Sequence, residues 1–133
     1  MLHSALYTLF CNRFAITFGV FLIITAGWNT IVSFNDDGII KGRVVAADGK
    51  PVGGATVTLL NKELLVTVLG SRAMTNEQGQ FTFTHHNSHH IWLQAAKDGM
   101  GETPRVEFRM YFKGQNLNIE TPLSFAENDT KGQ

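Results

Sequence analysis

Gly42-Arg43-Val44-Val45-Ala46-Ala47-Asp48-Gly49-Lys50-Pro51-Val52-Gly53-Gly54-Ala55-Thr56-Val57-Thr58-Leu59 reads as two extended runs joined by a turn. Asp48-Gly49 supplies a positive φ at little steric cost, and Pro51 pre-sets the backbone for the next extended segment. In the second run Ala55, Val57 and Leu59 alternate with Thr56 and Thr58. That period of two places one set inward and the other outward on a half-buried strand.

The same pattern recurs downstream. Ile39 to Val45 is the first expected strand, Ala55 to Leu60 the second and Leu64 to Leu69 the third. Thr75-Asn76-Glu77-Gln78-Gly79 is a turn, and Phe81 to Thr84 follows with both phenylalanines on the inner face. Ile91 to Ala96, Val106 to Phe112 and Leu117 to Leu123 complete seven strands, and Glu127 to Gln133 is a polar tail. Short strands at regular spacing, with no helical period after Asn35, predict an all-β, seven-stranded antiparallel Greek-key sandwich over residues 35–126.

Upstream the language changes. Phe14 to Trp28 carries no charge, and apolar residues continue at Ile31, Val32 and Phe34. Residues 13–34 are long enough to cross a bilayer as one transmembrane helix, which needs roughly 20 mostly apolar residues. Residues 1–12 would then be a cytoplasmic or interfacial segment. The same residues also fit a cleaved secretory signal, with Arg13 as its basic part and Ala26-Gly27 as its small-residue site. The retained anchor is preferred, because apolar character resumes after Gly27 and a dozen mostly uncharged residues precede Arg13. Either way the rest of the chain is exported. Arg13 before the apolar run and Asp36-Asp37 after it place the N-terminus in the cytoplasm by the positive-inside preference. The expected location is a bacterial-type inner membrane, with a periplasmic sandwich.

Eleven basic and eleven acidic residues give a formal charge of zero. No strong field is present to gather phosphates, so nucleic acid is not an expected partner. The one cysteine, Cys11, lies in the N-terminal hydrophobic region, and the exported domain has no internal disulfide to draw on. Its stability must come from apolar burial.

The quoted stretch, followed by Thr75-Asn76-Glu77-Gln78-Gly79-Gln80-Phe81-Thr82-Phe83, resembles the opening and later turn of the carboxypeptidase regulatory-like domain. Asn76 stands where that family usually has Asp. Ile91-Trp92-Leu93 and Asp98-Gly99 fit its later strands. The resemblance covers roughly Gly38 to Gly99 and implies a transthyretin-like sandwich used as an accessory or interaction module. Its motifs are turns and alternating apolar positions, so they specify a fold better than a function.

The unusual local feature is His85-His86-Asn87-Ser88-His89-His90, which holds four of the five histidines. Neutral imidazole is a common metal ligand. If the flanking strands formed a hairpin pairing Phe83 with Ile91, then His85 and His89 would face each other with Cβ atoms about 5 Å apart. That gives two candidate metal ligands, or three with His86, whereas a structural zinc site wants four. An exposed polar hairpin tip is the preferred reading, and no cofactor is expected. Ser71, Ser88 and Ser124 lack a nucleophile-elbow context, and Asp36-Asp37 and Glu77 read as solvated, so no catalytic residue is assigned and the chain is not expected to be an enzyme.

Partner contact is the remaining expectation. Gly19 and Gly27, with Thr25, would let the membrane helix approach others closely, with Trp28 near the headgroups; His86, His90 and Trp92 are the candidates on the sandwich. Trp92, Phe108, Tyr111 and Phe112 offer an aromatic strip, although Val106, Phe108, Met110 and Phe112 alternate as a core face would. The leading expectation is a non-catalytic, membrane-anchored accessory subunit that contacts the lipid bilayer and an integral membrane protein complex. The competing one is a periplasmic ligand-binding module, with metal at the His cluster or carbohydrate on exposed aromatics.

Overall fold

The structure is a computed structural model and describes residues 2–10, 12–62 and 67–125. It divides into two compact units, residues 1–34 and 35–133. The first unit contains helices α1 (Leu2–Phe10) and α2 (Arg13–Ser33). Where a cytoplasmic or interfacial segment was expected before Arg13, the chain is helical over Leu2–Phe10.

Asn12 begins α2, its side chain accepting a hydrogen bond from Phe14 N at 3.2 Å. The 21 residues of α2 span about 30 Å at 1.5 Å per residue, and none of them is buried. Its polar side chains are largely satisfied within the helix: Thr17, Thr25 and Thr30 donate to the carbonyls of Arg13, Phe21 and Ala26, each at 2.8 Å. A helix that closes its own hydrogen bonds and turns Phe18, Phe21, Ile23 and Ile24 outward suits a hydrocarbon solvent. The exposure marks a membrane anchor or a signal sequence.

The second unit is a two-sheet β-sandwich. Its strands are β1 (Ile40–Val45), β2 (Thr56–Lys62), β3 (Thr67–Met74), β4 (Gln80–Phe83), β5 (His90–Lys97), β6 (Gly101–Glu102), β7 (Val106–Arg109), β8 (Leu117–Asn118) and β9 (Leu123–Ser124). One sheet runs β4-β1-β8 with β9 also on β1, and the other runs β3-β2-β5-β6 with β7 also on β5. Strand β1 is antiparallel to β4 but parallel to β8 and β9, so the all-antiparallel expectation is corrected.

Two further expectations change. The seventh strand, anticipated over Leu117 to Leu123, is divided into β8 and β9, with Pro122 in the interruption, where its missing N–H cannot join a ladder. The third strand runs on to Met74, accommodated by a register shift opposite Thr58 and Leu60 of β2; residues 64–66 of the expected strand lie outside the described residues, as does the tail from 126.

The inner faces obey the period of two. Val57, Leu59, Phe81, Phe83, Ile91 and Leu93 are all buried, as the alternation predicts. Phe81 and Phe83 meet edge to face, centroids 5.8 Å apart. Burying each such side chain contributes about 1.5–3 kcal/mol. The expected apolar set Val106, Phe108, Met110 and Phe112 divides: Met110 is buried, Phe108 packs at the core edge, and Val106 is exposed. Strand β7 ends at Arg109, so the alternation does not run through it.

The turn at Thr75–Gly79 is a second structural centre. Thr75 is buried; its hydroxyl donates to Val52 O at 2.7 Å and accepts from Ala55 N at 2.9 Å. Asn76 Oδ1 accepts from Gln78 N and Gln80 N, and Asn76 Nδ2 donates to Gln80 Oε1, a bond an aspartate could not make. Gly79 has φ +72, and a Cβ there would lie 2.4 Å from Val44 O. Only glycine fits that position.

Candidate interaction surfaces

Strands β1, β5 and β8 begin, and β4 and β7 end, at one pole of the sandwich. Three loops meet there through polar bonds. Gly38 N donates to Gly114 O at 2.7 Å, and His86 N donates to Gly38 O at 3.2 Å. Gly38 has φ +67, and a Cβ on it would fall 2.5 Å from His86 O, so the approach requires glycine. Asn116 binds the segment before β1 three times: its N–H reaches Asn35 O at 2.7 Å, its Nδ2 reaches Asp37 Oδ2 at 3.1 Å, and its Oδ1 accepts from Ile39 N at 2.9 Å.

The histidine cluster is part of this pole. Strands β4 and β5 lie in different sheets, so the hairpin expected to pair Phe83 with Ile91 does not form. Phe83 instead pairs with Ile40, and Ile91 with Asn61 and Phe108. The alignment that would set His85 opposite His89 is thereby lost. Among the described residues no group of three or more His, Cys, Asp or Glu is placed to hold a metal ion.

The four histidines occupy separate settings. His85 is exposed with φ 60, and His89 is exposed. His86 is half-buried; its Nε2–H donates to Gln115 O at 2.8 Å, while its buried Nδ1 has no partner among the described residues. His90 lies on the outer face of the five-stranded sheet, where its Nε2 is hydrogen-bonded to Glu107 Oε1. That bond, followed by the charges of His90, Lys62 and Arg109, holds the Glu107 carboxyl below the usual carboxylate range against an opposing contribution from burial.

The same outer face carries Trp92. Register aligns Leu69, Leu60, Trp92 and Glu107 across β3, β2, β5 and β7. Lys62 Nζ lies 5.3 Å and Arg105 Cζ 6.0 Å from the Trp92 ring centroid, within cation–π range. Arg105 also donates to Gln94 Oε1 at 3.1 Å, and Gln94 donates to Glu102 Oε2 at 2.8 Å. Among the described residues Trp92 Nε1 is buried without a partner, while Leu69 is exposed in the same row on β3. This face thus sets one aromatic ring beneath a lysine and an arginine, with exposed Leu69 in the same cross-strand row. The sequence pointed to Trp92; Leu69 joins it through the register and Arg105 from the residue before β7.

The candidates in α2 lie on a helix none of whose residues is buried. A Cβ at Gly19 or Gly27 would meet nothing within 4 Å, and Trp28 is half exposed. Both glycine positions present open backbone for close approach by another helix.

A small two-sheet sandwich whose glycine turns and buried threonine lie in the quoted motif defines a class of structural β-module. The chain belongs to the carboxypeptidase regulatory-like domain family, whose model matches residues 39–121. No curated protein matches the sequence. Among solved structures, chlorocatechol 1,2-dioxygenase from Pseudomonas putida is similar at 13% identity over 65% of this chain, with a TM-score of 0.43. The match covers 58% of that protein, less than two thirds of its length.

Proposed function

We propose that this chain is a non-catalytic accessory subunit, anchored by α2 in a bacterial-type inner membrane, whose periplasmic sandwich docks on a larger integral membrane protein complex. The observation that carries the reading is the Leu69–Leu60–Trp92 row with Lys62 and Arg105 over the indole. Trp and Arg are among the side chains enriched at interface anchors. Helix α2 supports it with its unburied apolar surface and the open backbone at Gly19 and Gly27. Arg13 at the start of the helix and Asp36-Asp37 after it favour the N-terminus inside and the sandwich outside.

The test is purification of the full chain in mild detergent from its native membrane. The reading expects defined proteins to co-migrate with it, and a Trp92→Ala, Arg105→Glu variant to lose them while remaining folded. A chain that runs alone, or a variant that keeps every companion, defeats it.

A further inference from the structure

The pole that gathers the three loops presents one side chain outward more than any other large apolar group described. Tyr111 is 85% exposed. It is followed by half-buried Phe112 and exposed Lys113. The loop is held in shape: Tyr111 N donates to Gln115 Oε1 at 2.8 Å, Met110 N to His89 O at 2.8 Å, and the Gly114 carbonyl receives Gly38 N. The tyrosine is thus displayed from a fixed loop, so little ordering cost attends its burial in a partner.

The chain itself says what lies near. Asn116, the last residue of this loop, is bonded to Asn35, and Asn35 follows Phe34, the C-cap of α2, directly in sequence. A residue advances the chain by no more than about 3.8 Å. The chain therefore enters the sandwich at the pole that carries Tyr111. Tyrosine has an apolar body and a polar tip and is favoured at headgroup depth, and lysine can extend toward phosphates there.

We infer that the Tyr111-Phe112-Lys113 loop is a lipid-contact element that rests in the headgroup layer of the bilayer and holds this pole of the sandwich against the membrane. The inference rests on the reading of α2 as a retained membrane span. Asp36 and Asp37 lie at the same pole, and Asp37 is already engaged by Asn116. Lys113 in the loop adds a positive charge beside these carboxylates, so the pole carries both signs, as a zwitterionic headgroup does. The pole therefore takes phosphatidylcholine or phosphatidylethanolamine headgroups.

The experiment uses the full chain in phosphatidylcholine vesicles, with Cys11→Ser as background and a nitroxide label at single introduced cysteines. Tyr111→Cys and Lys113→Cys report the loop. Asp98→Cys reports the far end of β5, which begins beside Met110 and runs eight residues, about 25 Å, to the next turn. Phe21→Cys reports α2. Labels at 111 and 113 are expected to be at least about three-fold less accessible than 98 to a water-soluble nickel chelate, with 21 reading deep in hydrocarbon. If 111 and 113 are as accessible as 98 while 21 is deep, the lipid-contact inference is overturned and the anchor reading survives. If 21 is itself in water and the protein does not float with the vesicles, the anchor reading fails and takes the inference with it.

Discussion

The imidazole of His86 donates through Nε2 to the carbonyl of Gln115 at 2.8 Å, and this bond ties the loop after β4 to the loop after β7. A carbonyl can only accept, so Nε2 carries a proton, and the buried Nδ1 has no partner among the described residues. His86→Ala removes one side chain–backbone bond and is expected to lower stability by about 1 kcal/mol. Denaturant unfolding of the full chain, followed by a β-sheet signal, measures it.

Its neighbour should behave in the opposite way. His85 has φ 60, a conformation that costs an L side chain roughly 1–2 kcal/mol and glycine very little. His85→Gly is expected to raise the unfolding midpoint, offset in part by the greater freedom of glycine in the unfolded chain. A fall in the midpoint would show that the imidazole supports this loop.

Thr75 offers a sharper test of the core. Thr75→Val preserves shape but strands the Ala55 N–H and the Val52 carbonyl, at about 1–3 kcal/mol for each buried group left unsatisfied. Thr75→Ser keeps the hydroxyl and should lose much less. Equal losses in the two variants would mean that the methyl group, not the hydroxyl, is what the site requires.

Gly79→Ala combines a positive φ with a Cβ 2.4 Å from Val44 O and 3.0 Å from Val52 N. Backbone must move to admit it. A loss upwards of about 2 kcal/mol is expected, measured by thermal unfolding.

The pH dependence follows from Glu107. Its folded carboxyl is held below the ordinary range by the His90 hydrogen bond and the surrounding cations, so the unfolded state binds its proton first as pH falls. The group's contribution is present above the unfolded value near 4.5 and is lost as pH drops through the lower folded one. Wild type should therefore exceed Glu107→Gln in stability at neutral pH, and the difference should close in strong acid. The carboxylate is half exposed, so the gap is small. A gap that stays constant across the acid range would assign the effect to packing.

Much of the sandwich was legible because its determinants are local. Alternation identified the buried faces at Val57, Leu59, Phe81 and Phe83, and the turn residues at Gly49 and Gly79 revealed themselves by type. Pairing was not local. Phe83 and Ile91 share a face pattern and are close in sequence, yet one bonds to Ile40 and the other to Asn61 and Phe108. The period of two says which side of a strand is buried and nothing about its neighbour. The histidine cluster suffered most from this, because its proposed geometry depended on a hairpin. The pole was hidden for the same reason: Asn116 meets Asp37 across 79 residues.

Asn116 has a mechanical consequence. A pull delivered along the chain from α2 enters the sandwich at Asn35 and meets the bonds of Asn116 to Asn35, Asp37 and Ile39 before it reaches β1. Strand β1 then has β4 on one side and β8 and β9 on the other, so its ladders are loaded together. Three hydrogen bonds of one residue thus stand between the chain's entry into the sandwich and its first strand.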